Sequence, residues 1–268
     1  MNLNLYLKEL KRSRKNLIIW LLIVIGFTVM ILGIYPYMEE MGEGISDLMK
    51  KMPAELGKAL GLDANTWSSI VGFYSLYYGI YIILLVGIYT ASTGATIISK
   101  EEKERTAEFL FTKPISRKSI VISKLFALFT LTMIIYFIQT ITAAVCFSIF
   151  GNGNVDWSVV GIMHFHGLIL VLFFTCTGVI LSMFFRPKKN FMGMVVGIIF
   201  GFYFINAMSK AADAVSWLGY ISPFHYLEFT VNDPGYEINI LASLVLLILG
   251  FSLLFLTLML YKKKDIES

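Results

Sequence analysis

Charge is what this chain has least of. Only 15% of its 268 residues are Asp, Glu, Lys or Arg, while 57% are hydrophobic. A soluble domain is about 25% charged and about 45–50% apolar, so an ordinary soluble domain is excluded. Cysteine is scarcer still, with Cys146 and Cys176 both inside apolar runs, which argues against a disulfide framework and for two small packing residues. No Asn-x-Ser/Thr acceptor occurs, which fits a bacterial source.

Several catalytic signatures are also missing. No Gly-x-x-x-x-Gly-Lys-Ser/Thr run is present, so the chain has no P-loop to cradle ATP phosphates. No His-Glu-x-x-His occurs, and His164 and His166 are the only close histidine pair. Alternate residues on a helix point to different sides, so these two cannot chelate one metal from one face. They read as packing or interface histidines. The cores of the apolar runs hold essentially no ionisable residue, unlike the relays of ion-driven carriers. Gln139 and Asn206 are the notable polar residues there, each read as a helix–helix hydrogen-bonding group.

What is present is long apolar sequence. A helix crossing the ~30 Å hydrocarbon core needs about 20 apolar residues, and six stretches qualify: residues 17–35, 69–99, 120–150, 157–185, 191–209 and 238–261. Lipid-exposed backbone must satisfy its own hydrogen bonds, so the spans are helices. The expected fold is an all-α integral membrane protein with one domain over residues 1–268. Four clusters, within residues 8–15, 100–124, 186–189 and 262–264, hold eighteen of the 22 Lys and Arg; Lys50, Lys51, Lys58 and Lys210 hold the rest. The positive-inside rule then gives N-in, C-in. The first apolar stretch is too long for a cleavable signal peptide, and no small-residue cleavage site follows it.

Flanking pieces have their own patterns. Residues 1–16 carry Leu3, Tyr6, Leu7 and Leu10 at helical spacing beside five cations, which predicts an interfacial helix. Outside, Ile45, Leu48, Met49 and Met52, then Leu56, Ala59 and Leu60, predict two short amphipathic helices. Residues 211–236 predict an outer re-entrant or interfacial pair of short helices broken near Pro223, packed on the bundle because irregular backbone at depth needs protein cover.

Two stripes stand out. Tyr74, Tyr77, Tyr78 and Tyr81 lie at i, i+3, i+4, i+7 on the outer part of the second span, partly an interfacial belt and partly a candidate translocation path. Gly193, Gly197 and Gly201 give the fifth span a flat face for close helix approach, either within the chain or between subunits. Gly87, Ala91, Gly94 and Ala95 do the same on the second span.

The most informative segment is the cytoplasmic loop of residues 100–118 and its continuation to Lys124, KEEKERTAEFLFTKPISRKSIVISK. Glu101 and Arg105 form an i, i+4 pair in the favourable order. Ala107, Leu110 and Phe111 give a short helix an apolar edge, Pro114 ends it, and Ser116 can cap the next helix. So short a helix needs a docking surface, and Phe109, Leu110 and Phe111 do not suit a free cytosolic loop.

Glu-Glu-Lys-x-x-Thr-x-Glu-Phe-Leu, then Lys-Pro-Ile-Ser-Arg and Lys124, resembles the loop between the second and third spans of type-two ATP-binding-cassette (ABC) permeases. The likeness extends to a basic interfacial N-terminal helix, six spans and an outer re-entrant segment with Ser-Pro before the sixth. It implies a permease that dimerises, as homo- or heterodimer, and binds separate ATPase subunits carrying MgATP, with no cofactor and no hydrolysis in this chain. The family's coupling helix falls on Glu101–Thr112, with Phe109, Leu110 and Phe111 entering an ATPase groove and Glu101, Glu102, Glu104, Arg105 and Glu108 around it. Within the family the chain is similar to exporters of amphipathic toxin or antimicrobial peptides in the bacterial cell membrane; antibiotics, lipids or sodium are the alternative substrates. The competing readings are a membrane sensor or scaffold whose loop binds another protein, and, more weakly, an intramembrane enzyme.

Overall fold

The computed structural model describes residues 1–41, 69–98, 116–184, 191–227, 229, 231 and 236–263, without the side chains of 117, 191, 262 and 263. The first span is α1 (Leu3–Glu40). The second is a composite of α2 (Ile70–Tyr77), a π-helical segment (Tyr78–Ile83) and α3 (Leu84–Ile97). Then come α4 (Arg117–Phe150), α5 (Trp157–Phe184), α6 (Phe191–Ala211), a 3₁₀ segment (Asp213–Ile221), α7 (Pro223–Tyr226) and α8 (Ile240–Lys263). Among the described residues, six helices are long and apolar enough to cross a membrane and no strand occurs. The chain is an all-α integral membrane protein.

Helix starts follow local chemistry. The first turn of a helix has unpaired N–H groups, and short polar side chains meet them here. Asn2 Oδ1 accepts from Leu5 N at 3.1 Å, Ser69 Oγ from Gly72 N at 3.0 Å, and Ser116 Oγ from Ser119 N at 3.3 Å. Asp156 Oδ1 accepts from Ser158 N and Val159 N, and Asn239 Oδ1 from Ala242 N. The turn between α4 and α5 needs left-handed backbone at Asn152 (φ 47) and Gly153 (φ 79), which asparagine tolerates and glycine adopts freely.

The N-terminus differs from expectation. Residues 3–16 are not set off as a separate interfacial helix but run unbroken into the first span, making α1 38 residues long. At 1.5 Å per residue that is about 57 Å, longer than the bilayer core. Nothing between Leu3 and Ile25 is glycine or proline, so nothing stops the helix. It is also held sideways by α4: Asn2 N donates to Ser123 Oγ at 2.7 Å, and Tyr6 Oη meets Thr130 Oγ1 at 3.1 Å.

The helices pair by small-residue contact. α1 lies along α4, α3 along α5 and α6, and α8 along α5. A Cβ built on Gly87 would sit 2.9 Å from the Phe174 ring, and one on Gly94 3.0 Å from the Thr175 carbonyl oxygen. Gly178 of α5 faces the Ala91 backbone as closely. The small face of the second span is therefore spent inside the chain, on the fourth. The second span is the most enclosed of the six, 78% of its most apolar window being buried against 22% for the fifth.

The outer connection follows the expected plan. Ser222 separates the 3₁₀ segment from α7, with Pro223 at the first helical position. Ser222 Oγ donates to Phe202 O at 2.7 Å and so anchors the connection to the fifth span. Phe224, Leu227 and Phe229 are buried against the bundle.

Candidate functional site

Around the π-helical segment, three spans meet in a buried polar cluster. Tyr74 and Tyr78 are fully enclosed. Gln139 Nε2 of α4 donates to Tyr74 Oη at 2.7 Å, and the Tyr78 and Tyr136 hydroxyls are 2.7 Å apart. The Tyr136 hydroxyl donates to the backbone carbonyl of His164 on α5. That uses its only proton, so Tyr78 is the donor to Tyr136. The imidazole of His164 stacks on Tyr74 and tilts against Tyr78, at centroid distances of 6.0 and 4.7 Å.

Proton bookkeeping fixes the histidine tautomers. His164 Nδ1 lies 2.9 Å from Val160 O, a carbonyl that can only accept, so Nδ1 carries the proton. His164 Nε2 and Gln139 Oε1 are buried acceptors with no hydrogen-bond partner among the described residues. His166 is occupied differently: Asn239 N donates to its Nε2 at 3.1 Å, and its Nδ1 lies 3.2 Å from Tyr236 Oη. The two histidines thus serve separate contacts, His164 within the cluster and His166 at the start of the sixth span.

The tyrosine stripe divides into two rows. Tyr74 and Tyr78 point into the bundle. Tyr77 and Tyr81 lie about 60° around the helix, at its edge, where Tyr81 is 43% exposed. Tyr77 and Tyr81 stack with centroids 5.9 Å apart, and Tyr81 stacks on Phe27 of the first span at 6.0 Å. A π turn sits among these residues, a feature common at functional sites. Beside it the outer connection touches the second span: Val231 N donates to Ser75 Oγ at 3.1 Å, and Phe229 lies against Gly79.

Gly193, Gly197 and Gly201 behave unlike the glycines of the second span. Among the described residues a Cβ at any of the three meets nothing within 4 Å. Phe200, Phe204 and Met208 are exposed along the same helix. Asn206, read from sequence as a helix–helix group, is buried, and its Oδ1 has no partner among the described residues.

At the cytoplasmic end, Lys124 is 1% exposed, and its Nζ donates to Ile97 O, the last residue of α3, at 2.6 Å. By charge alone Lys124 belongs with the cytoplasmic cations of residues 100–124. Its place on the third turn of α4, past apolar Ile120, Val121 and Ile122, is the signal that it has entered the packed region.

Comparison with known families decides the identity. Residues 3–266 match the model of the ABC-2 family transporter protein.

The chain belongs to the ABC-2 transporter family.

No curated protein and no solved structure matches it. It is a multi-pass permease component of an ABC transporter, and the family implies an ABC ATPase subunit as partner. In this ABC-2 permease, Glu101, Glu102, Glu104, Arg105, Glu108, Phe109, Leu110, Phe111 and Pro114 lie outside the described residues. Of the described ends of their loop, Ser116 is exposed and Ile98 is buried: Ile97, Ile98, Val121 and Leu128 join Cys176 and Leu254 in one apolar cluster.

Proposed function

We propose that this permease is an exporter in a bacterial cell membrane, working as a dimer driven by MgATP hydrolysis on separate ATPase subunits. Membership of the ABC-2 family over residues 3–266 carries this reading. The chain has no P-loop of its own, so the energy for transport has to arrive through a partner. The segment Glu101–Thr112 is assigned as the contact with that partner, with Phe109, Leu110 and Phe111 as its apolar anchor.

The dimer arrangement is drawn from the fifth span. Among the described residues a Cβ on any of its three glycines meets nothing within 4 Å, and in lipid small residues favour close helix approach. A second permease copy is assigned to the Gly193–Gly197–Gly201 face. The path is assigned to the edge of the second span, where Tyr77 and Tyr81 present aromatic rings with polar tips. Such rings suit an amphipathic substrate, and an amphipathic peptide is the substrate class proposed.

Two measurements test the reading. Affinity purification of the tagged chain from its native membrane should bring down an ABC ATPase. Inside-out vesicles holding that complex should take up a fluorescent amphipathic peptide only with MgATP. Absence of the ATPase sinks the proposal, and uptake without nucleotide sinks its energetics.

A further inference from the structure

Lys124 is in an expensive place for an ammonium group. A lysine near the end of a membrane helix ordinarily extends its stem and leaves its charge in water. Lys124 is on the third turn of α4, about 10 Å from the helix start, and is 1% exposed. Around it lies the apolar cluster of Ile97, Val121, Leu128, Cys176 and Leu254.

Its bond accounts for the position. The last carbonyls of a helix have no intrahelical donor and carry the negative end of the helix dipole. Ile97 closes α3, and its carbonyl oxygen lies 2.6 Å from Lys124 Nζ. A cation at this point meets the negative end of the helix dipole. Next to it, Ser123 Oγ accepts from Asn2 N at 2.7 Å. Two consecutive residues of α4 thus hold the ends of the second span and the first.

The chain between Ile97 and Lys124 is the one whose sequence was assigned to ATPase contact. We propose that Lys124 is a positioning residue for coupling: it fastens the cytoplasmic end of the second span to the third, so that a displacement delivered through the intervening loop moves both spans as one body. This rests on the functional reading above. The bond adds a directional contact between the cytoplasmic parts of the two spans to the apolar, non-directional packing of the cluster.

The experiment uses the permease–ATPase complex that co-purifies, in lipid nanodiscs, with Cys146 and Cys176 replaced by alanine. Spin labels at Thr96→Cys and Lys118→Cys report the separation of the second and third spans. Labels at Thr96→Cys and Met259→Cys report the second span against the sixth. Each pair is measured without nucleotide and with ATP plus vanadate. In the otherwise unchanged chain, the 96–259 distance should shift with nucleotide while the 96–118 distance stays constant. In Lys124→Met the 96–118 distance should shift and broaden with nucleotide, and Lys124→Arg should restore constancy. Lys124→Gln replaces Lys124→Met if the latter is not monodisperse. A 96–118 distance that changes in the unchanged chain, or stays constant in the uncharged variant, overturns the role of Lys124 alone. Failure of any ATPase to co-purify, or of every pair to respond to nucleotide, overturns the functional reading and this role with it.

Discussion

The hydroxyl of Tyr136 donates to the backbone carbonyl of His164 and thereby ties the third span to the fourth. It also accepts from Tyr78, so one oxygen joins three helices at the π-helical segment. Inside a bilayer no bulk water competes for these groups, and the surrounding rings exclude it further.

Tyr136→Phe keeps the ring and removes that oxygen. Tyr78 Oη and the His164 carbonyl would each lose a partner. Hydrogen bonds between membrane helices contribute about 0.6–2 kcal/mol, and a change of 1 kcal/mol moves the Tm of a domain of this size by roughly 2–4 °C. Thermal unfolding of the purified variant in detergent should show a fall of this order. An unchanged Tm would mean the shared hydroxyl contributes nothing to holding the three spans.

The glycines predict a contrast between two single substitutions. Gly178→Ala places a methyl against the Ala91 backbone, which cannot yield by rotating a side chain, so destabilisation on the order of 1–3 kcal/mol is expected. Gly197→Ala places the same methyl in open space and should leave the stability of the isolated chain unchanged or slightly raised. Comparing the two melting curves under identical detergent conditions checks both, and equal losses would contradict the packing.

Gly197→Leu should leave the chain folded yet weaken association between copies. A disulfide between chains carrying Gly201→Cys reads association directly in native membranes. Its yield should fall several-fold when Gly197→Leu is added. Retained cross-linking would show that the fifth-span face is not where two copies meet.

Tyr81→Ala and Tyr74→Ala should separate transport from folding. Tyr81 is partly exposed and stacks at the edge of the helix, while Tyr74 is enclosed and bonded to Gln139. The first variant should keep its Tm and lose MgATP-dependent peptide uptake. The second should lose several kcal/mol of stability, as large-to-small changes at buried aromatics do. Wild-type uptake by Tyr81→Ala would remove the outer row from the path.

Phe111→Asp should abolish recovery of the ATPase while leaving the permease monodisperse. A charged side chain in an apolar groove pays its desolvation without a partner. Full recovery of the ATPase would move the contact elsewhere on the chain.

Sequence and structure agree most closely where the cause is local. The second, fourth and sixth spans begin within two residues of expectation, because Ser69, Asp156 and Asn239 cap helices by short-range bonds. Pro223 marks the break in the outer connection for the same reason. The N-terminal helix was the exception. Its amphipathic pattern predicts a separate surface helix, but it runs unbroken into the first span, and Asn2 and Tyr6 bond it along its side to α4. Tyr136 is unmarked in the sequence because its importance comes from a partner 28 residues away; Lys124 is marked by its place past Ile120, Val121 and Ile122, but its partner, 27 residues away, is not.

By itself the sequence determined that the chain is a membrane protein and that it has six spans. Those conclusions depend on bilayer thickness and on each helix closing its own hydrogen bonds, which a linear chain records directly. Only the tertiary structure decided which face each helix turns inward. Gly94 and Gly197 look alike in sequence, as do Tyr74 and Tyr81, yet one of each pair is packed and the other open. In lipid, the side of a helix facing its neighbours is no more apolar than the side facing the membrane. Periodicity therefore leaves the packed face unmarked, and contact with a distant helix has to choose it.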